Sequence, residues 1–319
     1  MTDPNDFFWF RLSRLPGVGP KTLWKVQRAA AARSLPLPEL LTDASGPAAE
    51  REVCRIQALL AEQDADELEV ELSALAAHRV SLLHPDHAQC PAGVLEHGVD
   101  FGLPPLLFAR GHLPIARSAG VAIVGSRTIE PDGVEFAQQL SEGLAVHGLN
   151  IVSRYARGAD MAGHTGALRA GGTTTIALGL GILNFEAKSE IKPLLTATNT
   201  LILSQFHPRA RWMARNAMAS NKLACALSRA IVVITSGPEL DDLGRASGTF
   251  DTARTGLAMG IPVFVLSPQA LRNPPPGNAA LIQMGCTELL PDGAMEQIHA
   301  AIADPRPHEH EPQPQNALL

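Results

Sequence analysis

Two arginine-bearing segments near the middle of the chain each end a short apolar run. Val121–Arg127 reads Val-Ala-Ile-Val-Gly-Ser-Arg, and Ile151–Asp160 reads Ile-Val-Ser-Arg-Tyr-Ala-Arg-Gly-Ala-Asp. A β-branched run that breaks into glycine, hydroxyl and arginine residues is typical of a buried parallel strand whose following loop binds an anion. Arginine binds phosphate oxygens through a planar fork of donors, so Arg127 and Arg157 indicate a ligand that carries phosphate.

A third loop of small and hydroxyl residues, Ser247–Ala253, opens a predicted helix. The free N–H groups of a helix N-terminus attract anions, and Asp251 in the first turn suits the helix dipole and could also accept from a sugar hydroxyl. Gly277-Asn278 precedes a further predicted helix and could complete the rim. Because ligands of open α/β sheets bind where the strands end, these loops predict one shared anion site.

The loops do not have the spacing of a dinucleotide fingerprint or of a P-loop lysine motif. We find no metal-ligand set in the sequence and no Ser-His-Asp order. Asp160 occupies an expected N-cap position, and His164, one turn later, is interpreted as packing or bonding locally, since a catalytic pair would lack a nucleophile. The sequence therefore predicts a binding protein rather than an enzyme, with no cofactor and no metal.

The charge is distributed unevenly along the 319 residues. The net charge of −6 argues mildly against a nucleic-acid protein, but residues 191–238 contain no Asp or Glu. A local basic face on an acidic protein still attracts phosphate, because screening confines each field to about 10 Å. The alternative is a chance acid-free stretch around a strand. The basic residues of this window are Lys192, Arg209, Arg211, Arg215, Lys222 and Arg229.

The surrounding pattern alternates strands and helices and predicts a doubly wound, extended Rossmann-like parallel sheet of the α/β class. We place this domain at residues 81–303, with residues 81–114 as a turn-rich connection that enters the sheet through a short strand at Pro104–Gly111. The six following predicted strands are Val121–Val124, Asn150–Ser153, Thr174–Leu178, Leu201–Ser204, Ala230–Ile234 and Pro262–Leu266. The predicted helices are Gly133–His147, Met161–Ala170, Asn216–Ser228 and Thr249–Met259.

Residues 1–80 are predicted to form a small helical domain of the helix-hairpin-helix or SAM-like kind. Within it, Leu15–Thr22 reads Leu-Pro-Gly-Val-Gly-Pro-Lys-Thr, which is similar to a helix-hairpin-helix turn. Gly17 and Gly19 permit the tight turn, and the next helix start with Lys21 could meet a phosphate. The alternative is a plain turn between packed helices. The polar tail 304–319 is predicted to be disordered.

The remaining composition indicates a cytoplasmic protein. The four cysteines are far apart and form no Cys-x-x-Cys pair, which is typical of reduced thiols. No apolar stretch is long enough to span a membrane, and the N-terminus lacks the basic start of a secretory signal.

In several ordered motifs the chain resembles the DprA/Smf family, the DNA-processing proteins of bacteria. The similarity extends over roughly residues 10–290. The motifs that carry it are Pro104–Gly111, Val124–Arg127, Ser153–Asp160, His164–Leu168, Arg215-Asn216-Ala217 and Ser247–Ala253. Three positions depart from the family pattern: Arg154 replaces a glycine, Ala217 replaces the second arginine of Arg-Asn-Arg, and Pro238–Arg245 lengthens a loop. These departures indicate a divergent paralogue.

The resemblance implies a homodimeric recombination mediator that binds single-stranded DNA without nucleotide hydrolysis and loads a RecA-type recombinase in natural transformation. It also implies positions for the DNA contacts, which are Gly125, Ser126, Arg127, Arg157, Gly158, Arg215, Asn216, Lys222, Ser247, Gly248 and Thr249. Trp212, Phe206, Phe185 and Tyr155 are the candidates for base stacking.

Two alternatives stay open at this point. The Rossmann core also resembles nucleotide sensors of bacterial defence and cytokinin-activating phosphoribohydrolases, in which a small nucleotide would sit near Asp251. The third possibility is a dimeric scaffold that contacts only partner proteins.

Overall fold

The computed structural model describes residues 3–42 and 51–303. The strands are β1 (Ser81–Leu83), β2 (Leu107–Gly111), β3 (Gly120–Val124), β4 (Asn150–Ser153), β5 (Thr174–Leu178), β6 (Thr200–Ser204), β7 (Ala230–Val233), β8 (Val263–Leu266) and β9 (Thr287–Leu289). The helices are α1 (Pro4–Ser13), α2 (Pro20–Ala32), α3 (Leu37–Thr42), α4 (Arg51–Glu62), α5 (Ala65–Ala77), α6 (Ala92–Phe101), α7 (Pro131–Val146), α8 (Ala159–Arg169), α9 (Ala214–Ala226), α10 (Gly248–Ala258), α11 (Pro276–Gln283) and α12 (Ala294–Ala303).

The strands form one sheet in the order β1-β2-β6-β5-β4-β3-β7-β8-β9. The seven strands from β6 to β9 in this order run parallel, which confirms the predicted α/β class. At one edge of the sheet, β2 pairs antiparallel with both β1 and β6. The segment 81–114 is therefore not a connection, because it contains β1, α6 and β2. The sequence indicated only the strand that forms β2. It did not indicate β1, which is too short to show an alternating pattern, or α6, because prolines lie close to both elements.

The strand order places the predicted loops together. The chain runs from β3 through α7 to β4, which pairs with one side of β3. Strand β7, which comes later in the chain, pairs with the other side of β3. The ends of β3 and β7 thus flank the point where the strand order reverses, which is the ligand crevice of open α/β sheets. All residues of β3 and β7 are buried, as their apolar runs require.

Helix α1 packs directly on the sheet, and helices α1 to α5 share one buried cluster with it. Trp9 and Phe10 of α1 share one buried cluster with Phe108 and Ile176 of the sheet. The rings of Phe10 and Phe108 meet edge to face at 6.4 Å. Because the helices share this cluster with the sheet, a separate domain ending at residue 80 stays a prediction.

The tail at 304–319 lies outside the described residues. Across 3–42 and 51–303, no helix combines the length and the apolar character needed to cross a bilayer.

Candidate functional site

The loop after β3 is held against the end of β7. The backbone N–H of Ser126 donates to the carbonyl oxygen of Thr235 at 3.0 Å, and the Ser126 hydroxyl donates to the same oxygen at 3.3 Å. A Cβ on Gly125 would lie 2.5 Å from the Cβ of Ala159, so only glycine admits the start of α8 here. The predicted anion loop is therefore rigidly placed.

The loop after β4 packs onto the loop after β3. Gly158 has a φ of +80°, and a Cβ on it would lie 2.3 Å from the carbonyl oxygen of Ser126. The N–H of Ala159 meets that oxygen at 3.4 Å. Arg127 and Arg157 are both exposed on these joined loops. The structure thus brings the two arginines to the same edge of the sheet.

Lys188 joins this group of cations. Its ammonium nitrogen donates to the carbonyl oxygen of Tyr155 at 2.7 Å and lies 4.3 Å from the centre of the Tyr155 ring. Burial lowers the pKa of Lys188. The negative charges of Glu190 and Asp160 oppose this shift, and the positive charges of Arg157 and Arg127 add to it. Sequence reasoning missed Lys188, because it lies outside the acid-free window and outside every motif.

Trp212 presents an open aromatic face at the same edge. Its side chain is 54% exposed, and the guanidinium carbon of Arg127 lies 5.9 Å from its ring centre. Tyr155 and Phe185 are half-buried and pack on each other with ring centres 5.0 Å apart. Trp212 is therefore the more accessible stacking platform, and it is already paired with a cation.

The acid-free window does not form one face. Arg209, Arg211 and Arg215 are exposed between the end of β6 and the first turn of α9, at the edge that carries Arg127. Arg229 immediately precedes β7 and so lies at the opposite edge of the sheet. The expected local basic face therefore does not include Arg229, because β7 lies between this residue and the carboxyl edge of the sheet.

The two remaining α9 positions differ in what surrounds them. Asn216 is half-buried in the first turn, close to the exposed Arg215. Lys222 lies two turns further along the helix and donates to the carbonyl oxygen of Phe101 at 3.2 Å. Ala217, where the family pattern has arginine, packs on Gly179: a Cβ there would lie 3.1 Å from the Cα of Ala217.

The third loop is engaged within the protein. The Ser247 hydroxyl accepts from the N–H of Phe250 at 3.2 Å and caps α10, and Thr249 is buried. The carbonyl oxygen of Gly248 accepts from the side chains of Asn221 at 3.1 Å and Thr252 at 2.7 Å. These side chains serve the helix start, which leaves its backbone N–H groups as the possible anion contacts.

Asp251 is also held by neighbours. Its carboxylate accepts from Asn221 at 3.3 Å and pairs with Arg254 at 3.5 Å. Gly277 lies within the first turn of α11 rather than before it. Asn278 is completely buried and ties the ends of β7 and β8, donating to Ile234 and Leu266 at 2.9 Å each. The expectation that Asn278 completes the rim is therefore wrong.

Arg154 turns inward from the loop after β4. Its guanidinium lies 3.3 Å from the carboxylate of Asp160 and donates to Asn221 at 2.8 Å. Asp160 is fully buried and is the second residue of α8, while Gly158 occupies the N-cap position that the sequence assigned to Asp160.

His164 is a buried packing residue, as expected from the sequence. Its Nε2 bonds the carbonyl oxygen of Arg154 at 2.6 Å, which requires a proton on Nε2, and Nδ1 meets the hydroxyl of Thr174 at 2.7 Å. Complete burial lowers the pKa of His164, so the ring is neutral near pH 7.

In the N-terminal turn, Gly17 has a backbone conformation that favours glycine, whereas Gly19 does not. Gly17 has a φ of +68°, and its carbonyl oxygen accepts from Arg55 at 3.1 Å. Gly19 is the N-cap of α2. Lys21, Lys25 and Arg28 are exposed and lie at i, i+4 and i+7, so they share one face of this helix.

A cleft of about 130 Å³ lies at the crevice between β3 and β7. It is lined by Ser126, Thr235, Glu130 and Asp132 among others. Pockets for drug-sized ligands usually measure about 300–1,000 Å³. Its small size and two carboxylates disfavour a bound nucleotide at this position.

Comparison with known proteins identifies relatives for most of the chain. The family model described as "DNA recombination-mediator protein A" matches residues 83–301. DNA processing protein DprA of Streptococcus pneumoniae is 29% identical over 61% of this chain and 64% of its own length. Protein Smf of Escherichia coli is 30% identical over 54% of this chain and 44% of its own length. The chain thus spans less than two thirds of these curated relatives.

Solved structures share the fold. The X-ray structure of DprA from S. pneumoniae matches 94% of this chain and 98% of its own chain, with a TM-score of 0.72 and 24% identity. DNA processing protein A from Helicobacter pylori, whose structure concerns its single-stranded DNA binding mode, matches 70% of this chain and 96% of its own chain, with a TM-score of 0.55 and 24% identity. The resemblance predicted from the motifs is confirmed.

Proposed function

The chain belongs to the DNA recombination-mediator protein A family, and from this premise we propose that it binds single-stranded DNA along the carboxyl edge of its sheet. The observation that carries the proposal is the group of exposed arginines around an exposed tryptophan at that edge. Arg127 and Arg157 extend from joined loops, and Trp212 lies beside Arg127. Cations that follow a backbone, combined with an aromatic platform, are the general means of binding single strands.

The roles of the individual residues follow from their surroundings. Arg127, Arg157 and Arg215 contact phosphates, and Lys188 adds to the local positive field. Trp212 stacks on a base. The backbone N–H groups of Gly248 and Thr249 and the side chain of Asn216 supply further contacts, with Lys222 at the far end of the path. Gly125, Ser126, Gly158 and Ser247 hold the loops in place.

We propose a second phosphate contact at the helix-hairpin-helix-like turn of Gly17, Gly19 and Lys21. Helix α2 begins directly after this turn, carries a basic face and contains no acidic residue, and these features support the contact. The double variant Lys21→Ala/Lys25→Ala should weaken DNA binding by about fivefold at low salt. An unchanged dissociation constant would assign this turn to packing only.

Family membership also supports a biological role. We propose that the protein is a cytoplasmic homodimer that protects single strands and delivers them to a RecA-type recombinase during DNA uptake. No catalytic step, metal or cofactor is part of this proposal. The alternative of a nucleotide sensor is weaker, because Asp251, its expected ribose contact, is held by Asn221 and Arg254.

A salt titration tests the proposal directly. The purified protein is titrated into fluorescent poly-dT without ATP at several salt concentrations. We expect tight binding whose logarithm falls linearly with the logarithm of the salt concentration, by about 0.7 per phosphate contact. Failure to bind poly-dT at low salt would refute single-strand binding, and saturable binding of a mononucleotide instead would favour the sensor.

A further inference from the structure

We propose that Arg154 is a positioning residue: it fastens the loop after β4 to α9 and, through Asn221, to the third loop of the proposed DNA site, and it sets the affinity for single strands without contacting them. This inference rests on the proposed function. It concerns one of the three positions at which the sequence departs from the family pattern that its motifs resemble.

The direction of the Arg154 side chain is the first support. Although the residue lies on a loop at the proposed site, its side chain is only 15% exposed, whereas Arg127 and Arg157 on the same loops are open to solvent. Its Nη2 donates to Oδ1 of Asp160 at 3.4 Å, and its Nε lies at ion-pair distance, 3.3 Å, from Oδ2 without making a hydrogen bond. An arginine that satisfies a buried carboxylate in this way is not available to a phosphate.

The second support is that the contacts of Arg154 extend from the loop after β4 to the third loop. Nη1 donates to the side-chain oxygen of Asn221 on α9 at 2.8 Å. The amide nitrogen of Asn221 in turn donates to the Gly248 carbonyl oxygen at 3.1 Å and lies 3.3 Å from Asp251 at the start of α10. The guanidinium thus links α8 to α9, and the Asn221 amide continues the bridge to the start of α10.

The third support is the tight connection from this bridge to the exposed cations. Asp160 also accepts from the N–H of Ala156, next to Arg157, at 3.4 Å. The carbonyl oxygen of Arg154 is fixed by His164 at 2.6 Å. The short loop that carries Arg157 is therefore held by Asp160 next to Arg157 and by His164 at the backbone of Arg154. Preorganised contacts of this kind reduce the ordering cost of binding.

The planar fork is what makes the bridge possible. Arginine can meet a carboxylate with Nε and Nη2 while Nη1 points to a second partner, whereas a lysine ammonium is a single point on a flexible stem. A phosphate contact would tolerate lysine, since the charge is kept. A bridge between Asp160 and Asn221 would not tolerate lysine, because a single ammonium does not replace the two edges of the guanidinium.

The test uses four full-length variants in the poly-dT titration. We expect Arg154→Lys to weaken binding by about tenfold, and Asn221→Ala, which removes no charge, to do the same. The double variant should weaken binding by less than the product of the two single fold-changes, because both substitutions break the same bridge. Arg229→Ala, which removes one positive charge at the opposite edge of the sheet, is the matched control and should change binding less than twofold.

Amide hydrogen exchange of the free protein gives a readout that does not depend on DNA. We expect faster exchange at residues 156–160 and 248–252 in Asn221→Ala and Arg154→Lys, with β5 and β6 protected as in the wild type. Protected strands would show that the variants fold. If Arg154→Lys binds DNA as well as the wild type and both loops exchange at the wild-type rate, the proposal is wrong.

The two proposals can fail separately. If the wild-type protein does not bind poly-dT, the proposed function fails, while the exchange experiment still decides whether Arg154 holds the loops. Suppose instead that the wild type binds, that Arg154→Lys leaves the affinity for DNA unchanged, and that Arg154→Ala lowers the salt slope. Arg154 would then contact phosphate, and the positioning role would be overturned.

Discussion

Charge and stacking at the proposed DNA site can be separated with two neighbouring residues, Arg127 and Trp212. The guanidinium carbon of Arg127 lies 5.9 Å from the Trp212 ring centre, and both side chains are exposed, so either can be truncated without opening the core. Arg127→Ala removes a charge, whereas Trp212→Ala removes an aromatic face. The two variants should therefore affect different terms of the binding free energy.

The expected magnitudes follow from the physical role of each side chain. Loss of one phosphate contact lowers the salt slope by about 0.7, which at about 0.1 M salt corresponds to about fivefold weaker binding. Loss of one base stack costs about 1–3 kcal/mol, or about 5- to 150-fold, and leaves the salt slope unchanged. Because the two side chains are in contact, the double variant should lose less than the sum of the two free energies.

The assay is the fluorescence titration of poly-dT over a salt series with the wild type, the two single variants and the double variant. Arg229→Ala serves as the charge-matched control, since Arg229 lies at the opposite edge of the sheet. If Arg127→Ala and Arg229→Ala lower the slope equally, the arginine acts only through net charge, and the proposed site is refuted. A lower slope in Trp212→Ala would likewise contradict its role as a stacking platform.

Three further predictions concern the stability of the site and can be checked by urea unfolding. Gly158→Ala should destabilise the protein by about 3 kcal/mol, because φ is +80° and the new Cβ would overlap the Ser126 carbonyl oxygen; a loss below about 1 kcal/mol would show that the loops can separate. Asp160→Ala should cost about 3 kcal/mol by leaving Arg154 without its carboxylate partner, and an unchanged midpoint would show that the ion pair contributes no net stability. Burial lowers the pKa of His164 below its usual 6.5, so the unfolded state binds the proton first as the pH falls. The contribution of the neutral, buried His164 ring to the free energy of unfolding is present above pH 6.5 and is lost on acidification, by up to about 1.4 kcal/mol per pH unit. His164→Gln should reduce the fall in midpoint between about pH 7.5 and pH 5.5, and an equal fall in both proteins would contradict the assignment.

The central strands were predictable because burial on both faces requires continuous apolar sequence. The runs ending at Val124, Ser153 and Leu178 are β-branched and bounded by glycine or hydroxyl residues, and each forms a strand in the predicted place. The edge elements gave weaker signals. Strands β1 and β9 have three residues each, too few for a period to appear, and α6 lies among prolines and glycines.

The candidate site was predictable at its loops but not in the direction of its side chains. The motifs identified Arg127 and Arg157, and both are exposed at the same edge. Nothing in the local sequence separates them from Arg154, which turns inward. Its partner Asn221 lies 67 residues away along the chain, so only packing of α9 against the loop after β4 determines that orientation.

The sequence by itself determined the class of fold, the positions of the anion loops and the family, because all three depend on residue types in local order. The tertiary structure decided which of those residues meet. Strand order placed Lys188 and Trp212 beside the two arginines, sent Arg229 to the other edge, and buried Asn278 between two strand ends. The physical reason is that a local pattern fixes the path of the backbone over a few residues, whereas the neighbour of a side chain depends on contacts between segments far apart in the chain.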